Sequence, residues 1–377
     1  MPPMKITGVE AIILRQPGID AAIADGSQDA LLVRIDTDEG IMGIGEVDSQ
    51  PNVIKAIIDA PASHANAAGL GGLLIGENPL EIDRLWEKMF QRSIYYGRRG
   101  AAIHAISGID IALWDIKGKA LGLPVYQLLG GPHRTDFRCY ASTLMPDTPA
   151  ETERVVIGLV EQGFTAIKLG WGPFGRDADL DVDLVAAARR AAGDNIELMF
   201  DIGNGWSNAD HAIRQVRRFE EFDPYWVEEP FMPDDIEAYA RLADTVETRI
   251  AAGEEDVTRW GFRDLIERGK VDVVQPDVTR AGGISECLRI AQIAALHDRE
   301  IVTHSWSTGI IKAASLHFLA AIPRSNLFEY CVQETALNQA LTKERFPLHD
   351  GCVTVPSGPG LGIEIDDDVV DKYRTSS

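Results

Sequence analysis

The sequence predicts an α/β fold, in which a barrel of alternating strands and helices follows a smaller α+β region of roughly 120 residues. Three observations indicate this fold class. Strand-like and helix-like patterns alternate from about Phe137 onwards, β-branched strands precede helices before that point, and polar residues end the apolar runs at nearly constant spacing. A barrel of about eight βα units takes ~250 residues, and a chain of 377 residues can supply it.

The N-terminal region begins with strands and continues with a helix. The stretches KITGVEAIILR and ALLVRIDTDEGIMGIGEV are rich in β-branched residues, and Thr37–Gly40 indicates a hairpin turn. Apolar residues then recur at intervals of three and four from Ile103 to Ile116, so they share one face of a helix.

The barrel region alternates short apolar runs such as AIKLG, IELMFDIG and VDVVQPD with amphipathic stretches such as DVDLVAAARRAAG. This pattern is typical of βα units around a parallel sheet. After Gly351 the chain is rich in loop residues and ends in the strand-like run GIEI. We expect this last segment to pack against the N-terminal region.

The composition restricts the partners. A net charge of −22, with no basic stripe to offset it, disfavours binding to nucleic acid or to an anionic membrane surface. No run of ~18 apolar residues predicts a membrane span, and the N-terminus lacks a signal-peptide pattern. The four cysteines show no CxxC spacing, which fits a reducing, cytoplasmic location.

Six of the apolar runs in the barrel region end in a polar residue, and successive members are 23 to 27 residues apart, close to one βα unit. We expect them to form a ring at the C-terminal mouth of the barrel, where barrel active sites lie. The six residues are Asp201, Glu228, Glu254, Asp277, His304 and Glu329.

The first three members of the ring predict a metal site. Asp201, Glu228 and Glu254 come from consecutive strands and offer only hard oxygen donors, which favours Mg²⁺ over zinc. The second acids of their pairs, Glu229 and Glu255, should point the other way and interact with loop or salt-bridge partners.

Proton transfer is predicted beside this metal site. An aspartate such as Asp277 next to His304 fixes one tautomer and makes a general base of the other ring nitrogen. Lys168, at the end of the run AIKLG, would place positive charge across the mouth. A metal, a base and a lysine suit abstraction of the proton next to a substrate carboxylate, with an enediolate as the stabilised product.

The sequence resembles the enolase superfamily, in its mandelate racemase and muconate lactonizing enzyme group. The resemblance covers nearly the whole chain and rests on the motifs GIDIALWDIKGKALGLPVYQLLGG, FDIGNGW, WVEEP, AAGEE, QPDVTRAGG, VTHSWSTG and FEY. It implies an α+β capping domain at 1–125, a (β/α)7β barrel at 126–350, and a C-terminal segment at 351–377 that returns to the cap. It further implies the Mg²⁺ and Asp277/His304 roles above, a Glu329 that contacts the substrate carboxylate or acts as an electrophile, and a homo-oligomer.

Two positions depart from the family pattern. The Lys-x-Lys sequence of racemases, whose second lysine is a base, is here Lys168, Leu169 and Gly170. The asparagine that usually follows the first metal ligand by two residues is Gly203, with Asn204 one place later.

A single base favours dehydration of a sugar acid to a 2-keto-3-deoxy acid, with His304 removing the α-proton and protonating the leaving hydroxyl. A sugar-acid lactone cycloisomerase or an epimerase is the alternative, and an inactive structural barrel is a remote one. In an enzyme of this kind, Lys168 would stabilise the substrate carboxylate and the enediolate. Trp171, Asn204 and Trp306 are further candidates for substrate contacts, and the segments 21–27 and 48–64 for specificity.

Overall fold

The computed structural model describes residues 4–23, 25–333 and 335–375. The described N-terminal region contains an antiparallel sheet in the order β1-β2-β3, with a short 3-10 turn at Gly26–Gln28 before β2. Its strands are β1 (Ile6–Arg15), β2 (Asp29–Thr37) and β3 (Met42–Val47). The predicted hairpin turn joins β2 to β3, where Thr37 Oγ1 donates to Ile41 O at 2.7 Å.

The helices α1 (Pro51–Asp59), α2 (Ile82–Arg92), α3 (Ile94–Gly97), α4 (Ala101–Leu121) and α5 (Val125–Leu128) complete this region. The predicted apolar face of α4 is fully buried and packs on β3. Two strand glycines permit this contact, because a Cβ on Gly43 or Gly45 would lie 2.2 or 1.9 Å from a backbone oxygen of α4.

The second region is a parallel barrel. Within the described residues it has eight strands, β4 (Asp136–Leu144), β5 (Ala166–Gly170), β6 (Glu197–Asp201), β7 (Trp226–Glu228), β8 (Ile250–Ala252), β9 (Val273–Val274), β10 (Glu300–Ile301) and β11 (Leu327–Cys331). Seven longer helices alternate with them, α6 (Pro149–Glu161), α7 (Ala178–Ala192), α8 (Ala209–Phe219), α9 (Ile236–Ala243), α10 (Thr258–Glu267), α11 (Gly283–Leu296) and α12 (Gly309–Ala320), and a 3-10 turn (Glu220–Phe222) follows α8.

The strands pair in the order β10-β9-β8-β7-β6-β5-β4-β11, so the first and last barrel strands are neighbours. This is the (β/α)7β arrangement with an N-terminal capping domain, as the resemblance implies. The periodic pattern alone predicted about eight βα units, whereas the described barrel has eight strands and seven longer helices.

The chain continues after β11 with α13 (Ala336–Ala340), and the C-terminal segment contains β12 (Cys352–Thr354) and α14 (Asp367–Tyr373). Strand β12 pairs antiparallel with β4, and α14 contacts β1. Thr375 N donates to Ile13 O at 3.0 Å, so this segment reaches the N-terminal sheet. The domain boundaries at 125/126 and 350/351 remain predictions. Among the described helices, none combines the length and apolar character that crossing a membrane requires.

A buried carboxylate joins the cap to the barrel. Glu46 on β3 accepts hydrogen bonds from Ser307 Oγ (2.8 Å), Thr308 Oγ1 (2.8 Å) and the Ile311 N–H (2.9 Å) at the start of α12. An anion is favourable at a helix N-terminus, but burial raises the pKa of Glu46 to about 7. The cap therefore holds the segment that follows His304.

Candidate active site

The positions of the site residues follow from the alternation of side chains along the barrel strands. One buried layer of side chains, one from each barrel strand or from the residue directly after it, fills the interior: Tyr140, Ala166, Met199, Trp226, Ala251, Val273, Val302 and Leu327. Because alternate residues of a strand share a face, the residues two positions further along also face inward. At seven of these eight positions the residue is buried and polar: Ser142, Lys168, Asp201, Glu228, Gln275, His304 and Glu329.

The eighth position is Gly253, and the following residue supplies the acid instead. Gly253 has φ 134°, a conformation that suits glycine, and directs the chain so that Glu254 reaches the same cluster. The N–H of Gly253 donates to Glu229 Oε1 at 2.7 Å, while Tyr239 donates to Glu229 Oε2 at 2.6 Å. Glu229 is thus a buried support of this loop, in line with the predicted loop partner.

Asp201, Glu228 and Glu254 converge on one point. Each can offer a carboxylate oxygen within 4.8 Å of the oxygens of the other two, and all three side chains are buried. Burial, together with the charge of Glu228, raises the pKa of Asp201 well above its ordinary value, and burial also raises that of Glu254. Crowded buried carboxylates of this kind fit a divalent cation with oxygen ligands.

Lys168 lies within this carboxylate cluster. Its Nζ contacts Glu228 Oε1, lies 2.9 Å from Glu329 Oε1 and 3.5 Å from Asp201 Oδ2. Burial alone would lower its pKa, but the charges of these carboxylates hold the pKa well above its ordinary value. The carboxylates around it thus favour the charged form of Lys168.

Glu329 lies next to the ammonium group of Lys168. It is fully buried, and its Oε2 accepts a hydrogen bond of 2.6 Å from the N–H of Ser305. Although burial would raise its pKa, the charges of Lys168 and His304 hold it below the ordinary value, so the group is an anionic acceptor. Its contacts are with Lys168 and the segment after β10 rather than with the cavity described below.

Asp277 and His304 form the predicted pair. His304 Nδ1 lies 2.7 Å from Asp277 Oδ2, and His304 Nε2 lies 3.6 Å from Glu254 Oε2. Burial alone would lower the pKa of His304, but Glu254, Glu329 and Asp277 raise it to about 10. Glu254 has the largest charge effect, so neutralising that carboxylate would free the imidazole to accept a proton.

Sequence reasoning missed Arg280, which joins this pair to the cap. Its guanidinium donates to Asp48 Oδ2 at 2.7 Å and to Asp48 O at 2.9 Å, and lies 3.6 Å from Asp277 Oδ2. Asp48, Asp277 and His304 also cluster closely enough to suggest a cation site, but the guanidinium already occupies the anionic side of that cluster. The three carboxylates of Asp201, Glu228 and Glu254 form the other candidate cation site, and it is the one with oxygen ligands only.

A cavity of about 510 Å³ opens at this end of the barrel. Its described lining residues come from both the cap and the barrel: Asp25, Gly26, Asp48, Ser49, His104, Ser142, Thr143, Leu144, Lys168, Gly170, Trp171, Asp201, Glu254, Glu255, Arg280, His304 and Trp306. The predicted specificity segments contribute Asp25 and Gly26 from 21–27, of which residue 24 lies outside the described residues, and Asp48 and Ser49 from 48–64.

Two of the three predicted substrate contacts lie on this lining. Trp171 and Trp306 are both there, whereas Asn204 is absent from the described lining. Asn204 has φ 61° and donates from Nδ2 to Glu255 Oε1 at 3.0 Å. This contact gives Asn204 a role in holding Glu255, and its contact with a substrate stays a prediction.

His104 of α4 is a second residue that the sequence did not reveal. Its Nδ1 lies 3.0 Å from Ser49 Oγ, and burial followed by the charge of Arg280 lowers its pKa to about 4. The ring is therefore neutral near pH 7. No strand-end spacing marks His104, because it comes from a cap helix, whereas Arg280 could have been noticed three residues after Asp277.

The two departures from the family pattern have steric counterparts. A Cβ at Gly170 would lie 2.3 Å from Asp201 Cβ, so β5 and β6 approach too closely there for any side chain. A Cβ at Gly203, where φ is 56°, would lie 2.8 Å from the ring of Trp171. Position 170, where racemases have a lysine, thus lies too close to Asp201 for a side chain. Position 203, where the family usually has an asparagine, lies close to Trp171.

The fold and site define a class, the capped (β/α)7β barrels with a buried carboxylate cluster at the C-terminal mouth. Comparisons with known proteins place the chain in a family of that class. Residues 6–130 match the mandelate racemase / muconate lactonizing enzyme N-terminal domain, and residues 151–369 match the enolase C-terminal domain-like family. The chain belongs to the enolase superfamily, in the mandelate racemase-like group.

Relatives with assigned activities cover almost the whole chain. It is 35% identical to the D-galactarolactone cycloisomerase of Agrobacterium fabrum, over 98% of this chain and 99% of that protein. It is also 35% identical to the D-galactonate dehydratase of Pectobacterium atrosepticum, over 90% of each. The crystal structure of the 3,6-anhydro-D-galactonate cycloisomerase from Zobellia galactanivorans is similar, with a TM-score of 0.90, 33% identity, and coverage of 99% and 100%.

Proposed function

We propose that this chain is a Mg²⁺-dependent hydro-lyase that dehydrates a sugar acid to a 2-keto-3-deoxy acid. The observation that carries the proposal is the placement of His304, which lies on the cavity lining with its Nε2 3.6 Å from Glu254 Oε2, while Gly170 stands where a racemase has its second base. A reaction that inverts a centre needs groups on two faces, whereas elimination on one face needs one. The dehydratases among the relatives agree with this reading.

The proposed metal ligands are Asp201, Glu228 and Glu254. Mg²⁺ bound there supplies positive charge that stabilises the carboxylate and enediolate of the substrate. Glu228 is held for this role, because its Oε2 accepts hydrogen bonds of 2.8 Å from both Trp226 Nε1 and Gln275 Nε2. Lys168 adds a second, fixed positive charge, and Glu329 positions it.

The residues of this chain then move one proton. His304 Nε2 takes the proton from the α-carbon, and the Asp277 carboxylate orients the ring through Nδ1 and stabilises the imidazolium. The same imidazolium next gives its proton to the departing β-hydroxyl, which leaves as water. The enol that forms becomes the 2-keto-3-deoxy acid.

A lactone cycloisomerase is the second candidate, because the relative matched over 98% of this chain has that activity. It would share the α-proton abstraction by His304 and differ in what the enediolate does next. In that case the oxygen that leaves the β-carbon belongs to the lactone ring, so a ring C–O bond breaks, no water is lost, and the product is an isomer of the substrate.

The deciding experiment is a screen of sugar acids and their lactones with purified protein and Mg²⁺ in D₂O. Loss of water from an open-chain acid, with a 2-keto-3-deoxy product, supports the dehydratase, and conversion of a lactone to an isomer of unchanged mass supports the cycloisomerase. Absence of both product and α-proton exchange with every acid and lactone would refute both functions.

We further place the enzyme in the cytoplasm, as a homo-oligomer that binds neither nucleic acid nor membranes. The four free cysteines and the net charge of −22 support this. Tyr95, Tyr96 and Val53 on the cap, which are 73%, 44% and 48% exposed, offer an apolar surface for self-association.

A further inference from the structure

We propose that the substrate of this site carries one carboxylate, and that its remaining carbons bear only uncharged hydroxyl groups. The inference rests on the proposed function and narrows its substrate class from sugar acids in general to monoacids. It follows from the charges on the part of the cavity that the cap supplies.

The cap wall of the cavity consists of Asp25, Gly26, Asp48, Ser49 and His104. Within these described residues there is no lysine or arginine, and two of the five are acidic. His104 adds no charge, since its lowered pKa leaves it neutral. A second carboxylate directed at this wall would therefore meet the charge of Asp25 without an uncommitted cation, because Arg280 already pairs with Asp48.

Arg280 does not serve as a clamp for a distal carboxylate. Besides the two contacts to Asp48, its Nη1 donates to Glu254 O at 3.2 Å, and Asp277 lies 3.6 Å away. Its side chain is only 18% exposed. The other cations of the described lining, Lys168 and His304, are committed to the carboxylate cluster and to Asp277.

The same wall is suited to hydroxyl groups. Asp25 Oδ1 accepts hydrogen bonds from Ser27 N (2.9 Å), Ser27 Oγ (2.7 Å) and Trp306 Nε1 (3.2 Å). No described residue donates to its Oδ2, which leaves one strong acceptor on a carboxylate that the loop holds in place. Ser49 Oγ and the His104 ring offer further neutral hydrogen-bonding groups beside it. Uncharged hydroxyls can donate to the free oxygen of Asp25, whereas an ionised carboxylate cannot.

The test compares aldonates with aldarates of the same configuration, D-galactonate with galactarate and D-gluconate with D-glucarate. For the pair whose configuration is accepted, we expect kcat/KM and α-proton exchange to favour the monoacid by about tenfold or more. Equal or better use of the diacid would overturn the inference and leave the proposed function standing. If no acid gave either product or α-proton exchange in the presence of Mg²⁺, the proposed function would be overturned instead.

The variants Asp25→Asn and Asp25→Lys test the charge directly. An asparagine side chain keeps an oxygen for the Ser27 contacts, so Asp25→Asn tests the charge even if Asp25→Lys does not fold. We expect the ratio of diacid to monoacid kcat/KM to rise several-fold in Asp25→Asn and further in Asp25→Lys. Asp183→Lys, an exposed change on α7 outside the cavity lining, is the matched control and should leave the ratio unchanged. An unchanged ratio in both Asp25 variants would refute the inference.

Discussion

Gly170 offers the sharpest test of the site geometry, through the variant Gly170→Ala. The strand register places Gly170 opposite Asp201, and the added Cβ would lie 2.3 Å from Asp201 Cβ and 2.6 Å from Asp201 O. Ordinary carbon contacts are ~3.5–4.0 Å, so β6 would have to move by about 1 Å. Neither contact is with the flexible end of a side chain, so rotamer changes cannot relieve the overlap.

The cost follows from that displacement. Overpacking of this kind costs ~1–3 kcal/mol, so the free energy of unfolding should fall by about that amount. Ligand constellations tolerate only ~0.5 Å of misplacement, so Mg²⁺ affinity should fall by about tenfold or more as Asp201 shifts. Urea unfolding and calorimetric titration with Mg²⁺ measure the two effects.

The matched control is Gly158→Ala in α6, where an added Cβ meets no atom within 4 Å. Alanine should stabilise that helix by ~0.5–1 kcal/mol and leave Mg²⁺ affinity unchanged. If Gly170→Ala bound Mg²⁺ and unfolded like the wild type, the close approach of β5 to β6 and the argument built on it would be refuted.

Three further predictions concern single side chains. His304→Asn should lower both turnover and α-proton exchange in D₂O by about 10²-fold or more, and retained exchange would show that another group is the base. Lys168→Met should reduce the free energy of unfolding by ~3–5 kcal/mol without added cation, because it leaves buried carboxylates unpaired; a wild-type urea midpoint would contradict this. Since the folded-state pKa of Glu46 is about 7 against an ordinary 4.5, the wild type should lose stability relative to Glu46→Gln as pH rises from 4.5 to 7, by about 3 kcal/mol. If the difference in unfolding free energy between the two proteins stayed constant across that pH range, the raised pKa of Glu46 would be refuted.

The sequence predicted the parts of the site that follow strand periodicity. Asp201, Glu228, His304 and Glu329 come together because each lies two residues beyond an interior position of its strand. Alternation along a strand is visible in the sequence, so this set could be found without coordinates.

Groups placed by loops and by the cap could not be found in this way. Asp48 and His104 come from cap elements whose docking on the barrel has no local pattern in the sequence. Asn204 could be proposed from the motif that contains Asp201, but its hydrogen bond to Glu255 needed the structure. Lys168 was recognised as a cation, yet its simultaneous contact with Glu228 and Glu329 needed the structure.

The contact between Gly170 and Asp201 also bears on how this enzyme could change its reaction by mutation. A lysine placed at position 170 would add a second amine to the site and at the same time displace Asp201, a proposed metal ligand. A single substitution there should therefore weaken the proposed cation site before a second base could act. Compensating changes in β6 would have to come first, so the close approach of the two strands limits the order in which mutations could alter the reaction.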